Sequence, residues 1–144
     1  MKQNLTINEI MTSQPVCINL ETRIPEIITI MGKYEFDHLP VLNDEGLLRG
    51  MVSKTDLYQR ALSLSKSTSG KLYSEKSLFA TKAAEIMTSN PIYIETHQDV
   101  KVAIRLMLKD KFHALPVMEE GRIVGIITAK DILETMSTKV TIVS

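Results

Sequence analysis

The chain has one cysteine, no tryptophan and no long apolar run among its 144 residues. Cys17 has no thiol partner, so an internal disulfide is excluded. With three histidines and no Cys/His cluster, a structural zinc site has no ligand set, and no metal site is expected. No stretch reaches the roughly 18 apolar residues a transmembrane helix needs. The opening "MKQNLTINEI" lacks the apolar centre of a signal peptide. A soluble, cytoplasmic protein without membrane contact is the expectation. An excess of either charge is missing too, because Lys+Arg and Asp+Glu are 17 each. That argues against nucleic acid as a partner held by a strong overall positive field, and leaves room only for a local basic patch. Three Phe and four Tyr offer few stacking platforms for single strands.

What is present suffices for a core. The apolar share, 44%, is ordinary for a globular protein. The length fits one domain, or two very small ones sharing a core. That core is mostly aliphatic, with eight methionines. Met11, Met31, Met87 and Met107 read as adaptable filler. Cys17 reads as a small buried residue, since no His–Asp pattern accompanies it as a nucleophile would require.

The dominant feature is a duplication. "EIMTSQPVCI" at 9–18 returns as "EIMTSNPIYI" at 85–94, 76 residues further on. In that register Ile28 meets Ile104, Met31 meets Met107, Phe36 meets Phe112, and "LPV" at 39–41 meets "LPV" at 115–117. After one residue is dropped near Asn43, Gly50 meets Gly125, Ser53 meets Thr128 and Asp56 meets Asp131. Two copies are too few for a solenoid. The expected arrangement is a pseudo-two-fold pair, each half covering the other's apolar face, with sites formed between the halves.

Each copy has the same local reading. A Pro precedes a short strand at 15–19 and at 91–95. Residues 23–34 and 99–110 carry apolar side chains at helical spacing. "HLPVLN" and "ALPVM" read as short buried strands, "NDEG" and "EEG" as glycine turns, and "LLRGMVS" and "RIVGIIT" as hairpin partners. A helix then starts at Lys54 and at Ala129. The unit is strand, helix, strand, strand, helix, preceded by a short helix around "EIM". Parallel neighbours need a helical crossover. The expected class is therefore α/β (α+β): two pseudo-two-fold related β-α-β-β-α repeats with small mixed sheets. The boundaries are 1–62 for repeat one, 63–79 for a linker, 80–138 for repeat two and 139–144 for a tail. The Ser/Lys-rich "SLSKSTSGKLYSEKS" at 63–77 reads as a flexible linker with a solvated face. "KVTIV" at 139–143 has strand character and could pair with a sheet edge.

"GMVSKTD" and "GIITAKD" carry the chemistry. A strand runs into a helix N-terminus, where backbone N–H groups are unpaired and the dipole end is positive. Ser53 or Thr128 can cap that end, and Asp56 or Asp131, three residues on, can return a bond to the cap's N–H. The usual reciprocal acid is Glu or Gln, and Asp is one carbon shorter. A carboxylate there is acceptor-only and suits two neighbouring hydroxyls, as the acid does for ribose in dinucleotide folds. It would repel a phosphate placed on it. Capping alone and capping plus ligand binding both fit the motif.

Two copies of "IMTxxP", an apolar helix, "LPV", and "G" followed by two apolar residues and "[ST]xxD" resemble the cystathionine-β-synthase-type (CBS) domain pair, or Bateman module. The resemblance covers roughly 7–62 and 82–136. The "EIMT" opening and two-copy layout are similar to stand-alone bacterial CBS proteins, including those associated with acetoin utilisation. The resemblance implies no enzyme. It implies a regulatory module sensing an adenosine-containing ligand, such as AMP, ADP, ATP or S-adenosylmethionine, in clefts between the repeats, with no required cofactor. It also implies a homodimer, and a signal passed by conformational or oligomeric change to an unknown effector protein. A protein-interaction or dimerisation module with no physiological nucleotide is the alternative.

The resemblance further implies a ribose acid at Asp56 and at Asp131, with hydroxyl partners Ser53 and Thr128. The clefts are expected crosswise. The Asp56 cleft would draw on Thr88, Pro91, Tyr93, Phe112, His113 and Ala114. The Asp131 cleft would draw on Thr12, Pro15, Cys17, Phe36, Asp37 and His38. The family's phosphate-contacting position, two before the "LPV" leucine, is His113 in repeat two but Asp37 in repeat one. A second basic position falls on Lys130 but on Thr55 in repeat one. His113 and Lys130 are expected to make the Asp56 cleft the better phosphate binder, while His38 is the nearby candidate in the other. His113 as an ordinary surface histidine and Lys130 as a solvated first-turn lysine also fit.

Overall fold

Two four-stranded mixed sheets organise the chain, and each is completed by a strand from the other sequence repeat. The computed structural model describes residues 5–66 and 71–141. In order come α1 (Ile7–Ile10), β1 (Thr12–Ser13), β2 (Ile18–Asn19), α2 (Ile24–Tyr34), β3 (His38–Leu42), β4 (Leu48–Ser53), α3 (Lys54–Ser65) and α4 (Lys71–Ala80). Then follow α5 (Ala83–Ile86), β5 (Thr88–Ser89), β6 (Ile94–Glu95), α6 (Val100–Asp110), β7 (Ala114–Glu119), β8 (Arg122–Thr128) and α7 (Ala129–Thr141). One sheet has the order β1-β8-β7-β6 and the other β2-β3-β4-β5. In each, the strand before the long helix is parallel to the strand after it, and the hairpin is antiparallel. The expected mixed α/β class with small mixed sheets is what the chain forms.

The compact units cut across the repeats. One joins the N-terminal segment through Pro15 to the chain from Ile92 onward, and the other is Val16–Pro91. In the first unit β1 pairs antiparallel with β8, Thr12 opposite Ile126 and Ser13 opposite Gly125. Ile7 N donates to Gln98 O at 2.8 Å, anchoring α1 beside the start of α6. In the second unit β5 pairs with β4, Gly50 opposite Ser89 and Met51 opposite Thr88. Ala83 N donates to Thr22 O at 2.7 Å in the same way.

Each unit has its own apolar cluster. Ile7, Ile94, Ala103, Leu115, Val117, Ile127 and Ile132 form one. Ile18, Ile27, Met31, Leu39, Val41, Val52 and Ala83 form the other. The lead-in helices α1 and α5 thus supply core residues to the sheet of the opposite repeat. Met31 is fully buried, and Met11, Met87 and Met107 pack half-buried against these clusters, as filler should.

Three local expectations change. The strands after Pro15 and Pro91 shrink to two residues each, because only Ile18–Asn19 and Ile94–Glu95 find ladder partners. Much of the 63–79 stretch read as linker is helical, 63–65 closing α3 and 71–79 belonging to α4. Lys is a good helix former, and α4 packs against α2 and α3, so tertiary contact decides what Ser/Lys composition leaves open. Residues 67–70 of that stretch lie outside the described residues. The edge-strand reading of the tail also fails for 139–141, whose backbone continues α7. An already formed helix propagates more readily than a lone edge pair nucleates. Residues 142–144 lie outside the described residues.

Gly50 and Gly125 let the lead-in strands lie down. A Cβ at Gly50 would come within 2.8 Å of Thr88 O and strike the Met87 side chain. A Cβ at Gly125 would come within 2.9 Å of Thr12 O and 3.2 Å of Met11 Cγ. Gly50→Ala and Gly125→Ala are each expected to lower the unfolding free energy by about 1–3 kcal/mol in urea denaturation, as overpacking does. Gly32→Ala, where nothing lies within 4 Å, should not destabilise. Equal effects at all three positions would contradict the close-approach explanation.

Candidate functional site

The two "[ST]xxD" motifs form closed capping boxes at the starts of α3 and α7. Ser53 is extended, at φ −115° and ψ 165°. Its Oγ accepts from Asp56 N at 3.2 Å, while Asp56 Oδ2 accepts from Ser53 N at 2.7 Å. At the second box Thr128 Oγ1 accepts from Asp131 N at 3.1 Å. Asp131 Oδ2 accepts from Thr128 N at 2.8 Å and from the Thr128 hydroxyl at 3.0 Å. Asp therefore reaches back despite its short arm. In both boxes the cap occupies Oδ2. The other oxygen differs. Asp56 Oδ1 has no hydrogen-bond partner among the described residues, whereas Asp131 Oδ1 accepts from Thr12 Oγ1 at 3.3 Å. Both carboxylates are half-buried, so solvent or a ligand can reach them.

The first unit brings Thr12, Thr128 and Asp131 together, because β1 lies on β8 two residues before its end. Pro15 follows in the same lead-in segment. Phe112, His113 and Ala114 also lie in this unit, with Ala114 opposite Thr128 and His113 O accepting from Ala129 N at 3.2 Å. His113 and Lys130 are exposed. Tyr93, 53% exposed, precedes β6.

The second unit holds Ser53, Asp56, Thr88 and Pro91, with Thr88 opposite Met51 on the strand that leads to Ser53. Cys17, Phe36, Asp37 and His38 lie in the same unit, with His38 opposite Ser53. Phe36 stacks on Tyr34 with ring centroids 5.8 Å apart. Burial pushes the half-buried Cys17 thiol up, away from the reactive thiolate. The expected grouping of Tyr93 and Phe112–Ala114 with Asp56, and of Cys17 and Phe36–His38 with Asp131, joins residues of different units and remains an expectation.

Sequence reasoning missed Lys54. Its Nζ lies 3.2 Å from Asp37 Oδ1, and its N donates to Asp37 O at 3.0 Å. The carboxylate expected to oppose phosphate thus has a cation beside it. The signal was visible in "SKTD", but alignment with "TAKD" set Lys54 opposite Ala129 and drew attention to Lys130 alone. Among the described residues no cluster of three or more His, Cys, Asp or Glu could hold a metal ion. No helix among them is long and apolar enough to cross a membrane.

Two sheets of this topology, each ending in a capped carboxylate, define a class, and comparison with known proteins names it. The CBS domain family matches residues 7–63 and 83–138, and the chain belongs to that family. A homoserine O-acetyltransferase from Methanocorpusculum labreanum is 30% identical over 127 residues, covering 88% of this chain but only 23% of that enzyme. The solved CBS domain pair of protein MJ0100, in complex with 5′-methylthioadenosine and S-adenosyl-L-methionine, is similar with a TM-score of 0.80 and 25% identity. That match covers 95% of this chain and 99% of the other. CBSX2 in complex with AMP is similar with a TM-score of 0.76 and 25% identity, over 92% and 96% of the two chains.

The caps should contribute measurably to stability. Ser53→Ala and Thr128→Ala are each expected to lower the unfolding free energy by about 1 kcal/mol in urea titration. Unchanged midpoints would show that the boxes are not stabilising.

Proposed function

We propose that the chain is a regulatory module that binds an adenosine-containing small molecule at the two capped carboxylates and acts without catalysis of its own. The observation that carries this reading is the division of labour within each carboxylate. Oδ2 holds the helix start in both; Asp56 Oδ1 is left to accept from an adjacent pair of ligand hydroxyls, while at Asp131 a ligand would share Oδ1 with, or displace, the Thr12 hydroxyl. The complexes of similar chains with AMP and with S-adenosyl-L-methionine support an adenosine ligand. In this reading Ser53 and Thr128 position the acids. Thr88 and Thr12, Pro91 and Pro15, Tyr93 and Cys17 line the approach through the lead-in segments. His113 and Lys130, with His38, are the proposed phosphate contacts. Phe36, Phe112 and Ala114 flank the bound group. Ligand binding shifts the balance between packings of the chain or of a homodimer, and an effector protein reads that shift. The effector is another protein, or further chain attached to this one as in the longer relatives.

The proposal is tested by thermal melting with AMP, ADP, ATP, S-adenosylmethionine and NAD. A ligand at a hundredfold excess over its dissociation constant is expected to stabilise by about 2.7 kcal/mol. Asp56→Ala should abolish the shift given by phosphorylated nucleotides. His113→Ala with Lys130→Ala should weaken ATP more than adenosine. No shift with any of the five ligands would leave the interaction module without a nucleotide as the correct reading. Loss through Asp131→Ala alone would overturn the assignment to Asp56.

A further inference from the structure

The outward face of α6 is cationic in a way its duplicate α2 is not. Lys101, Arg105 and Lys109 are all exposed, and Leu108 is 78% exposed, the highest value among the exposed large apolar side chains. Helical spacing places Leu108, Lys101, Arg105 and Lys109 within an arc of roughly 100°. Asp110 lies on the opposite side of the helix from Lys101. Among the described residues, none of the three cations is within ion-pair distance of a carboxylate. Lys111, exposed and in the left-handed conformation at the helix end, extends the charge.

The duplication supplies an internal control. In the register 76 residues earlier, Lys101 falls on Pro25, Arg105 on Thr29, Leu108 on Gly32 and Lys111 on Glu35, with only Lys109 matched, by Lys33. The same fold element is thus built without the stripe. The stripe also works against its own helix. Lys101 to Arg105 and Arg105 to Lys109 are like charges at i,i+4, which repel. Lys101 sits in the first turn, at the positive end of the dipole. Neither packing nor helix stability accounts for it.

We propose that this face of α6 is a docking surface for an acidic protein segment that presents carboxylates at helical spacing around one apolar side chain. Three cations in a line about 12 Å long, by the helical rise, match carboxylates on an adjacent helix, and Leu108 gives the contact an apolar centre. An anionic membrane is the poorer fit, because surface binding of that kind uses clusters of about four to eight cations or a broad apolar face.

The test uses the full chain and a synthetic helical peptide with Glu at every fourth position and one central Leu. A second peptide carries Gln in place of Glu, and phosphatidylserine vesicles form a third arm. Fluorescence anisotropy should show binding of the Glu peptide only, weakening as salt rises from about 50 to about 200 mM. The combined Lys101→Glu, Arg105→Glu and Lys109→Glu variant should bind at least about tenfold more weakly. Its melting temperature, and that of the corresponding Gln variant, should not fall below the parent, since like-charge repulsion is removed or left no worse. The proposal is overturned by equal binding of the two peptides, by undiminished binding in the triple variant, by binding to vesicles alone, or by no binding at all.

Discussion

The close approach of a lead-in strand to a glycine on the hairpin is the constraint from which the rest of this structure follows. β1 lies against Gly125 and β5 against Gly50, each with a neighbouring carbonyl where a Cβ would be. Because those strands come from the opposite sequence repeat, the two units cannot form independently from the two copies. α1 and α5 carry Ile7 and Ala83 into the clusters of Ile127 and Val52, so apolar burial and strand pairing tie the same exchange. The exchange also has a chemical consequence. It delivers Thr12 to within hydrogen-bond reach of Asp131, which its own repeat would not supply.

The carboxylates show how a structural device can hold a functional group in place. A free Asp side chain at a strand end samples several rotamers. Here one oxygen is fixed by the backbone N–H of Ser53 or Thr128, and the remaining oxygen is presented in one direction. Preorganisation of that kind lowers the cost of ordering a site on binding. The bonds that start α3 and α7 thus also orient the groups proposed to meet a ligand. The two sites are nevertheless unequal. Thr12 engages Asp131, while the second oxygen of Asp56 has no partner among the described residues, and Lys54 lies beside Asp37 in the unit of Asp56.

Much of the fold was legible because duplication allows each half of the sequence to check the other. The helices at 23–34 and 99–110, the hairpins and the two capping motifs all rest on local patterns that recur in register. What was not legible depends on distance along the chain. Nothing local in "EIMTS" says that its Thr–Ser pair will form a strand with residues 112 and 114 positions later in one case and 37 and 39 earlier in the other. Ser/Lys composition hid α4, whose helix is supported by packing on α2 and α3. The Lys54–Asp37 pair was hidden for a similar reason, since it joins a loop to a helix start across a whole hairpin.

The proposed ribose contact is made by a carboxylate oxygen left over from helix capping. Its most direct measurement compares adenosine-5′-monophosphate with its 2′,3′-dideoxy analogue in equilibrium titrations by calorimetry. A site built to accept two hydroxyls should bind the dideoxy compound at least about tenfold more weakly, because its acceptor is left unpaired, and Asp56→Ala should erase the difference. Equal affinity for the two compounds in the unaltered chain would contradict it.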